Sequence, residues 1–420
     1  MKNNKPLAML SPLCLALLSG HASAALEPFT LGASETVQHQ TNLNHTESDQ
    51  VSDWISTTEF SAALNQALGR DKLVASAAVD LNRYKRSHTL DSTGYQADAE
   101  FDWSTIGDLS GSLGGSSTRR QYIAGETAEP APGQPSVLQN VKNLQTDNHA
   151  FAHIALGAES RWSIFGGGDV SQRHYSLDSF SVNEERQWSG NAGTRYETSP
   201  DLSFGLNGNF THGEYPNAGV VSGNAIIQGA SKFNSRTVSL TSTLQASGNS
   251  SLSGNVGYTT ESNQALSTDR KFVSGGLSWN WTPPSHFTVK LDLRRSSDSD
   301  ASAPLVDVST GRANTLNANS INNAAHLEVT YALTAKVSLD ASTDYTQRKY
   351  ADLKQVAGPD VNGATRTARF WLTAHYQPTR LSDVSCGGGR ETRHADASIA
   401  DLTPAYTDNY LQCAASIRFD

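Results

Sequence analysis

The residue types that most often perform catalysis are sparse and scattered in this chain. His174, His212, Asp169 and His394 could supply the imidazoles and carboxylate of a hydrolytic site, but nothing in their spacing favours assembly. There is no Gly-x-Ser-x-Gly elbow, no His-Glu-x-x-His metal pattern and no phosphate-loop spacing. The runs Gly166-Gly167-Gly168 and Gly387-Gly388-Gly389 lie in extended segments with no helix behind them. Glycine there relieves crowding or lets a sheet bend; it does not cradle a nucleotide. The sequence predicts a non-enzyme, with no cofactor and no metal site.

A second set of residues is better ordered. Asp98, Glu100 and Asp102 stand in a row at alternate positions, with Asp80 on the preceding segment. Asp169 and Arg173 share a parity, as do Lys290, Asp292 and Arg294, then His326 and Glu328, then Asp340, Asp344 and Arg348, then Arg369, Trp371 and His375. Charges on one side of an extended chain can form either a hydrated wall or a weak binding surface. Tyr84 and Trp371 would add stacking faces. Hydroxyl-rich molecules pass along surfaces offering many weak hydrogen bonds and occasional aromatic rings, because a tight site would trap them. Passive uptake of small solutes needs the same surface.

The elements that must position these residues are strands. Leu73, Ala75, Ala77, Val79 and Leu81 alternate with Ser76, Ala78, Asp80 and Asn82, and Phe287, Val289, Leu291 and Leu293 with Thr288, Lys290, Asp292 and Arg294. This two-residue period gives one apolar and one polar face. The segments, about 10–15 residues, exceed ordinary globular strands and suit a tilted crossing of a bilayer. Short turns near Gly69-Arg70-Asp71, Gly107-Asp108, Pro200-Asp201 and Gly248-Asn249 alternate with longer connections, including 126–145, 214–230 and 297–320. Trp103, Trp162, Trp281, Phe287, Tyr331, Tyr376 and Phe419 hold the apolar parity near the short-turn end, and Trp54, Tyr95, Phe210, Tyr258 and Tyr345 hold it near the other. Such positions form two interfacial girdles. The expected fold is all-β: a closed antiparallel transmembrane β-barrel of about 18 strands (roughly 16 to 20), because an open edge in hydrocarbon would leave amides unpaired. A barrel this wide leaves an aqueous interior unless a loop closes it, and residues 126–145, 214–230 and 297–320 are the candidate plugs.

Composition agrees. The 420 residues include 33 glycines and only 2 methionines, and beyond the first two dozen residues no apolar run approaches a membrane helix. Lys2 and Lys5, the apolar stretch Leu7–Leu18 and Ala22-Ser23-Ala24 read as a signal peptide cleaved near Ala24, leaving residues 25–420 as one barrel domain. Removing two lysines and no acid takes the net charge from −9 to −11, against nucleic acid as a partner. Cys386 and Cys413 lie symmetrically about the last predicted loop, and form either a cross-strand disulfide or two reduced outward thiols.

Particular residues carry a family likeness. Asn42-Leu43, Ser52-Asp53-Trp54-Ile55, Leu68-Gly69-Arg70, Asn82-Arg83-Tyr84, Thr93-Gly94-Tyr95 and Trp103 before Ile106-Gly107-Asp108-Leu109 resemble the EpsL-type outer-membrane proteins of exosortase-associated exopolysaccharide clusters, as do Arg236–Leu240 and Ser251–Tyr258. Asn44-His45 stand where that family has Phe-Arg. The resemblance implies a bacterial outer-membrane location, with outer-membrane lipid around the barrel. It also implies export of an extracellular polysaccharide, with periplasmic and inner-membrane export machinery as partners. A general or solute-selective diffusion porin is the alternative, and a barrel enzyme a third.

Overall fold

The computed structural model describes residues 28–122, 142–157, 160–217, 219–222, 225–228, 230–263, 268–284, 286–298, 305–307, 312–314, 320–353, 361–400 and 403–419. The signal-peptide segment falls outside them, as do residues 126–141 of the first candidate plug.

Nine consecutive hairpin-linked strands come first: β1 (Phe29–Gln40), β2 (Asp53–Leu68), β3 (Asp71–Tyr84), β4 (Ser92–Ser104), β5 (Leu109–Gln121), β6 (Leu144–Leu156), β7 (Trp162–Tyr175), β8 (Glu185–Ser199) and β9 (Leu202–Tyr215). A small hairpin follows, β10 (Gly219–Ser222) and β11 (Ala225–Gln228), then β12 (Ser231–Ser247), β13 (Ser250–Asn263), β14 (Thr268–Trp281) and β15 (Phe287–Asp298). A second small hairpin, β16 (Leu305–Asp307) and β17 (Arg312–Asn314), precedes β18 (Ser320–Thr334), β19 (Val337–Leu353), β20 (Val361–Thr379), β21 (Ser382–Ala395) and β22 (Tyr406–Phe419).

Eighteen of these strands form one antiparallel sheet. It is closed: β1 pairs with β2 on one side and with β22 on the other, from Leu31↔Phe419 to Gln40↔Tyr410. No edge remains to expose unpaired amides, which lipid demands.

The connections expected as plain loops at 214–230 and 297–320 instead each hold a two-stranded ribbon outside the barrel sheet. In the first, Val220 pairs with Ile227 and Val221 with Ile226. These β-branched residues favour extended pairing even where the surrounding sequence is polar. At the opposite end the turns are tight. Gly69 between β2 and β3 adopts φ 72°, a left-handed conformation that a side chain disfavours.

The apolar face points outward. Val238 is 61% exposed, Leu240 60%, Ile164 61% and Leu31 56%, a continuous display that water would penalise and acyl chains satisfy. The small buried clusters lie instead at the long-loop rim. One joins Leu43, Tyr84 and Leu90 with Ile55, and another joins Tyr122, Tyr175 and Phe180 with Leu177.

Candidate functional site

Register partners in an antiparallel pair share a face, so the exposed Val79, Val170, Val238, Leu293 and Leu372 fix the outward parity of their strands and of each neighbour. On that basis all the candidate wall residues project inward: Asp80, Asp98, Glu100, Asp102, Asp169, Arg173, Lys290, Asp292, Arg294, Glu328, Asp340, Asp344, Arg348, Arg369 and Trp371. The structure sorts them into sectors that the linear pattern does not show.

The first sector is acidic. Asp80 lies across from Glu59 of β2, and Asp98 across from Ser76, whose hydroxyl donates to it at 2.5 Å. Glu100 and Asp102 continue the column on β4, with Lys72 opposite Asp102. Glu59 was not singled out in the sequence, because its membership depends on which β3 residue β2 meets.

Next around the wall, Arg173 Nε donates to Asp147 at 2.8 Å. Asp169 lies 3.3 Å from His149 Nε2 and 3.8 Å from His153 Nε2, and accepts from Ser189 at 3.1 Å. Phe151 sits between the two imidazoles, with ring centroids 5.7 Å and 5.2 Å away.

The third sector runs over β15–β21. Lys290 Nζ lies 3.1 Å from Glu328, His326 Nδ1 2.6 Å from Asp344, and His375 Nε2 3.0 Å from Asp340. Asp292 faces His326, Arg294 faces Ala324, and Arg348 faces Asn322 and Thr365. A fourth sector is aromatic and cationic: the Arg369 guanidinium lies 5.4 Å from the Trp371 ring and 5.7 Å from Tyr410, and Arg393 lies 4.7 Å from Tyr406.

Between the second and third sectors the wall is hydroxyl-rich. Thr237, Thr241 and Thr243 of β12, Ser253, Asn255 and Thr259 of β13, and Ser274 and Ser278 of β14 line one concavity. Thr237 and Thr259 hydroxyls meet at 2.9 Å and Thr259 and Ser274 at 3.3 Å, and in each pair either oxygen can donate, so the surface offers both donors and acceptors.

Three large inward rings are seated on glycines across the ladder: Trp371 opposite Gly389, Phe151 opposite Gly114 and Phe165 opposite Gly193. A Cβ at Gly389 would fall 2.5 Å from Trp371 Cε3, and one at Gly114 2.8 Å from Phe151 Cζ. These glycines let the rings lie against the wall. Phe151 and Phe165 escaped the sequence reading; the signal was an aromatic on the polar parity.

Other expectations change. Tyr84 is not a free stacking face: it is 7% exposed and packed against Leu43 and Leu90. His174, His212 and His394 take the outward parity, away from inward Asp169, so no hydrolytic set forms among them. Among the described residues no three His, Cys, Asp or Glu side chains converge as metal ligands.

Two carboxylates organise the long-loop rim. Fully buried Asp408 accepts from Gln40 Nε2 at 2.7 Å, Thr41 N at 3.0 Å, Thr41 Oγ1 at 3.0 Å and Asn42 N at 2.9 Å, latching the β1–β22 seam. Asp53 accepts from the backbone of Trp54 at 2.8 Å, Arg86 at 3.0 Å and Ser87 at 2.8 Å. Desolvation opposes the charge on Asp53, but these donors outweigh it and hold its carboxyl below the usual carboxylate range. Asn42, Asp53 and Tyr84, which carried the family likeness, thus serve rim architecture. Cys386 and Cys413 are register partners on the outward face and are disulfide-bonded, with Cα atoms 4.1 Å apart.

No protein-family profile matches the chain, and no curated protein matches it. Solved structures do. Pseudomonas aeruginosa OccK2 (OpdF), solved in complex with glucuronate, is 10% identical with a TM-score of 0.48, covering 94% of this chain and 98% of its own. P. aeruginosa OpdK with vanillate is 10% identical with a TM-score of 0.47, covering 93% and 99%. P. aeruginosa OccK3 (OpdO) is 12% identical with a TM-score of 0.45, covering 93% and 95%. The likeness is one of barrel architecture.

Proposed function

We propose that this protein is a bacterial outer-membrane channel through which small, hydrated, hydroxyl-rich solutes diffuse. The observation that carries the reading is the pairing of a closed eighteen-stranded sheet with an inner wall of hydroxyl, carboxylate and paired-charge sectors. Wall side chains cannot fill a barrel of this strand number, so its interior is wet. Transport then needs no bound energy source, only a wall whose hydrogen bonds replace those of water at little net cost.

The test is reconstitution of the purified protein into planar bilayers and solute-loaded vesicles. Stepwise conductance and swelling in polyols or sugars support the channel; a sealed barrel in both assays overturns it.

Polysaccharide export remains a second reading, favoured by the resemblance of residues 42–115 and 236–258 to EpsL-type proteins and by the continuous hydroxyl wall, which offers a polymer many weak contacts and no trap. Deleting the gene and weighing secreted polysaccharide separates the two: loss of secretion supports export with inner-membrane partners, and unchanged secretion with impaired solute uptake supports diffusion alone.

A further inference from the structure

Among the described strand residues the outward face carries cations at one end only. The short-turn end is dominated by apolar and aromatic residues, with Trp103, Trp162, Trp281 and Tyr376 among them, and holds no cation among the described strand residues. At the long-loop end, just beyond the last apolar residue, the same parity holds Arg83, Arg119, Arg186, Arg236, Lys271 and Arg295. Outward groups at that height meet lipid headgroups.

We propose that this face binds a phosphorylated glycolipid of the outer leaflet, centred on Arg236, Lys271 and Arg295. The inference rests on the outer-membrane reading above. Arg236 and Lys271 lie in one row, each paired with Thr260 of the intervening β13, and so about 10 Å apart at two strand spacings. The Arg236 guanidinium stands 5.9 Å from the Phe210 ring, lying along the top of the apolar belt. Among the described residues the acceptors close to Arg295 are neutral, Val273 O at 3.1 Å and Asn323 Oδ1 at 2.8 Å, and hold it against the wall without cancelling its charge.

Among the described residues near this cluster, the outward acids are Asp269, two residues before Lys271, and Glu214, whose register partners are the cations Arg186 and Lys232. Cations therefore dominate the row. A sugar-linked phosphomonoester fits it best, because guanidinium forks pair two phosphate oxygens and a lysine completes the charge.

The experiment uses the full-length folded protein in detergent micelles, with bisphosphorylated lipid A, its dephosphorylated form and inorganic phosphate as probes, and bound lipid counted by native mass spectrometry. We expect retention of the bisphosphorylated lipid and weak retention of the other two. Arg236→Gln/Lys271→Gln/Arg295→Gln should lose on the order of 100-fold in affinity, about one contact charge's contribution per residue. Arg236→Lys/Arg295→Lys should regain much of it, and Lys336→Gln/Arg380→Gln at the short turns should leave it unchanged. Heat-modifiable gel mobility reports folding of each variant; if the triple Gln variant does not fold, the Lys pair and the dephosphorylated probe decide. Equal retention of phosphorylated and dephosphorylated lipid, or full retention by the folded triple variant, overturns the proposal. Conductance is read in parallel, so that failure of the channel reading shows as a sealed barrel whatever the lipid result.

Discussion

The seam between the first and last strands gives the sharpest quantitative expectation. Asp408 is fully buried where β1 meets β22, and takes four hydrogen bonds from Gln40, Thr41 and Asn42. Asp408→Ala strips the acceptor from the Asn42 backbone amide and from the buried Gln40 amide, while Thr41 N keeps Asn409 O at 3.2 Å. Each donor left unsatisfied away from water costs about 1–3 kcal/mol, so with two such donors the change should cost roughly 2–6 kcal/mol. That is a large part of an ordinary stability of about 5–15 kcal/mol. Glu197→Ala is the comparison. It breaks an inward-facing pair with Arg195 at 2.7 Å, but the two side chains are 44% and 38% exposed, so solvent screening leaves at most about 1 kcal/mol. The assay is urea unfolding in lipid vesicles followed by tryptophan fluorescence, with cold-gel mobility as a second probe. If Asp408→Ala unfolds within about 1 kcal/mol of Glu197→Ala, the carboxylate does not hold the seam and the hydrogen-bond argument fails.

Three further expectations are open to direct measurement. Neutralising the acidic sector by Glu59→Gln, Asp80→Asn, Asp98→Asn, Glu100→Gln and Asp102→Asn should lower cation preference by about threefold or more, read as reversal potential in a salt gradient, since one-signed walls concentrate counter-ions; an unmoved potential would place the permeation path elsewhere. Cys386→Ser/Cys413→Ser opens a loop of sequence separation 27 and by chain entropy should cost up to about 3.5 kcal/mol, seen as a lower unfolding midpoint; an unchanged midpoint would show that the hairpin is held without the bond. Glu35 lies on the outward parity in mid-strand, bonded by the hydroxyls of Ser56 and Thr58, the latter at 2.6 Å. Glu35→Val should stabilise the barrel by about 1–2 kcal/mol, below the penalty for a cation at the same depth, and a destabilised variant would mean that the carboxyl has a partner worth more than its lipid exposure costs.

Local chemistry wrote much of this protein plainly. Alternation at Leu73–Leu81 and Phe287–Leu293 fixes which face each side chain takes, because the two-residue period belongs to a single strand and needs no partner. It therefore placed Asp98, Glu100 and Asp102 inward and the Trp and Tyr girdles outward. Tight turns of alternating spacing implied how many crossings there are, and the symmetric placement of Cys386 and Cys413 put them side by side while leaving their oxidation open. Pairing between distant segments was decided only by the folded barrel. That Glu59 meets Asp80, that His326 meets Asp344, that Gly389 seats Trp371 and that Asp408 reaches Gln40 each depends on register, and in a closed sheet the registers of all strands are set together. Tyr84 shows the limit: its parity was legible, but its burial against Leu43 and Leu90 came from a loop folding back over the rim. Side-chain direction is a property of one strand, whereas closure and contact belong to the whole ring.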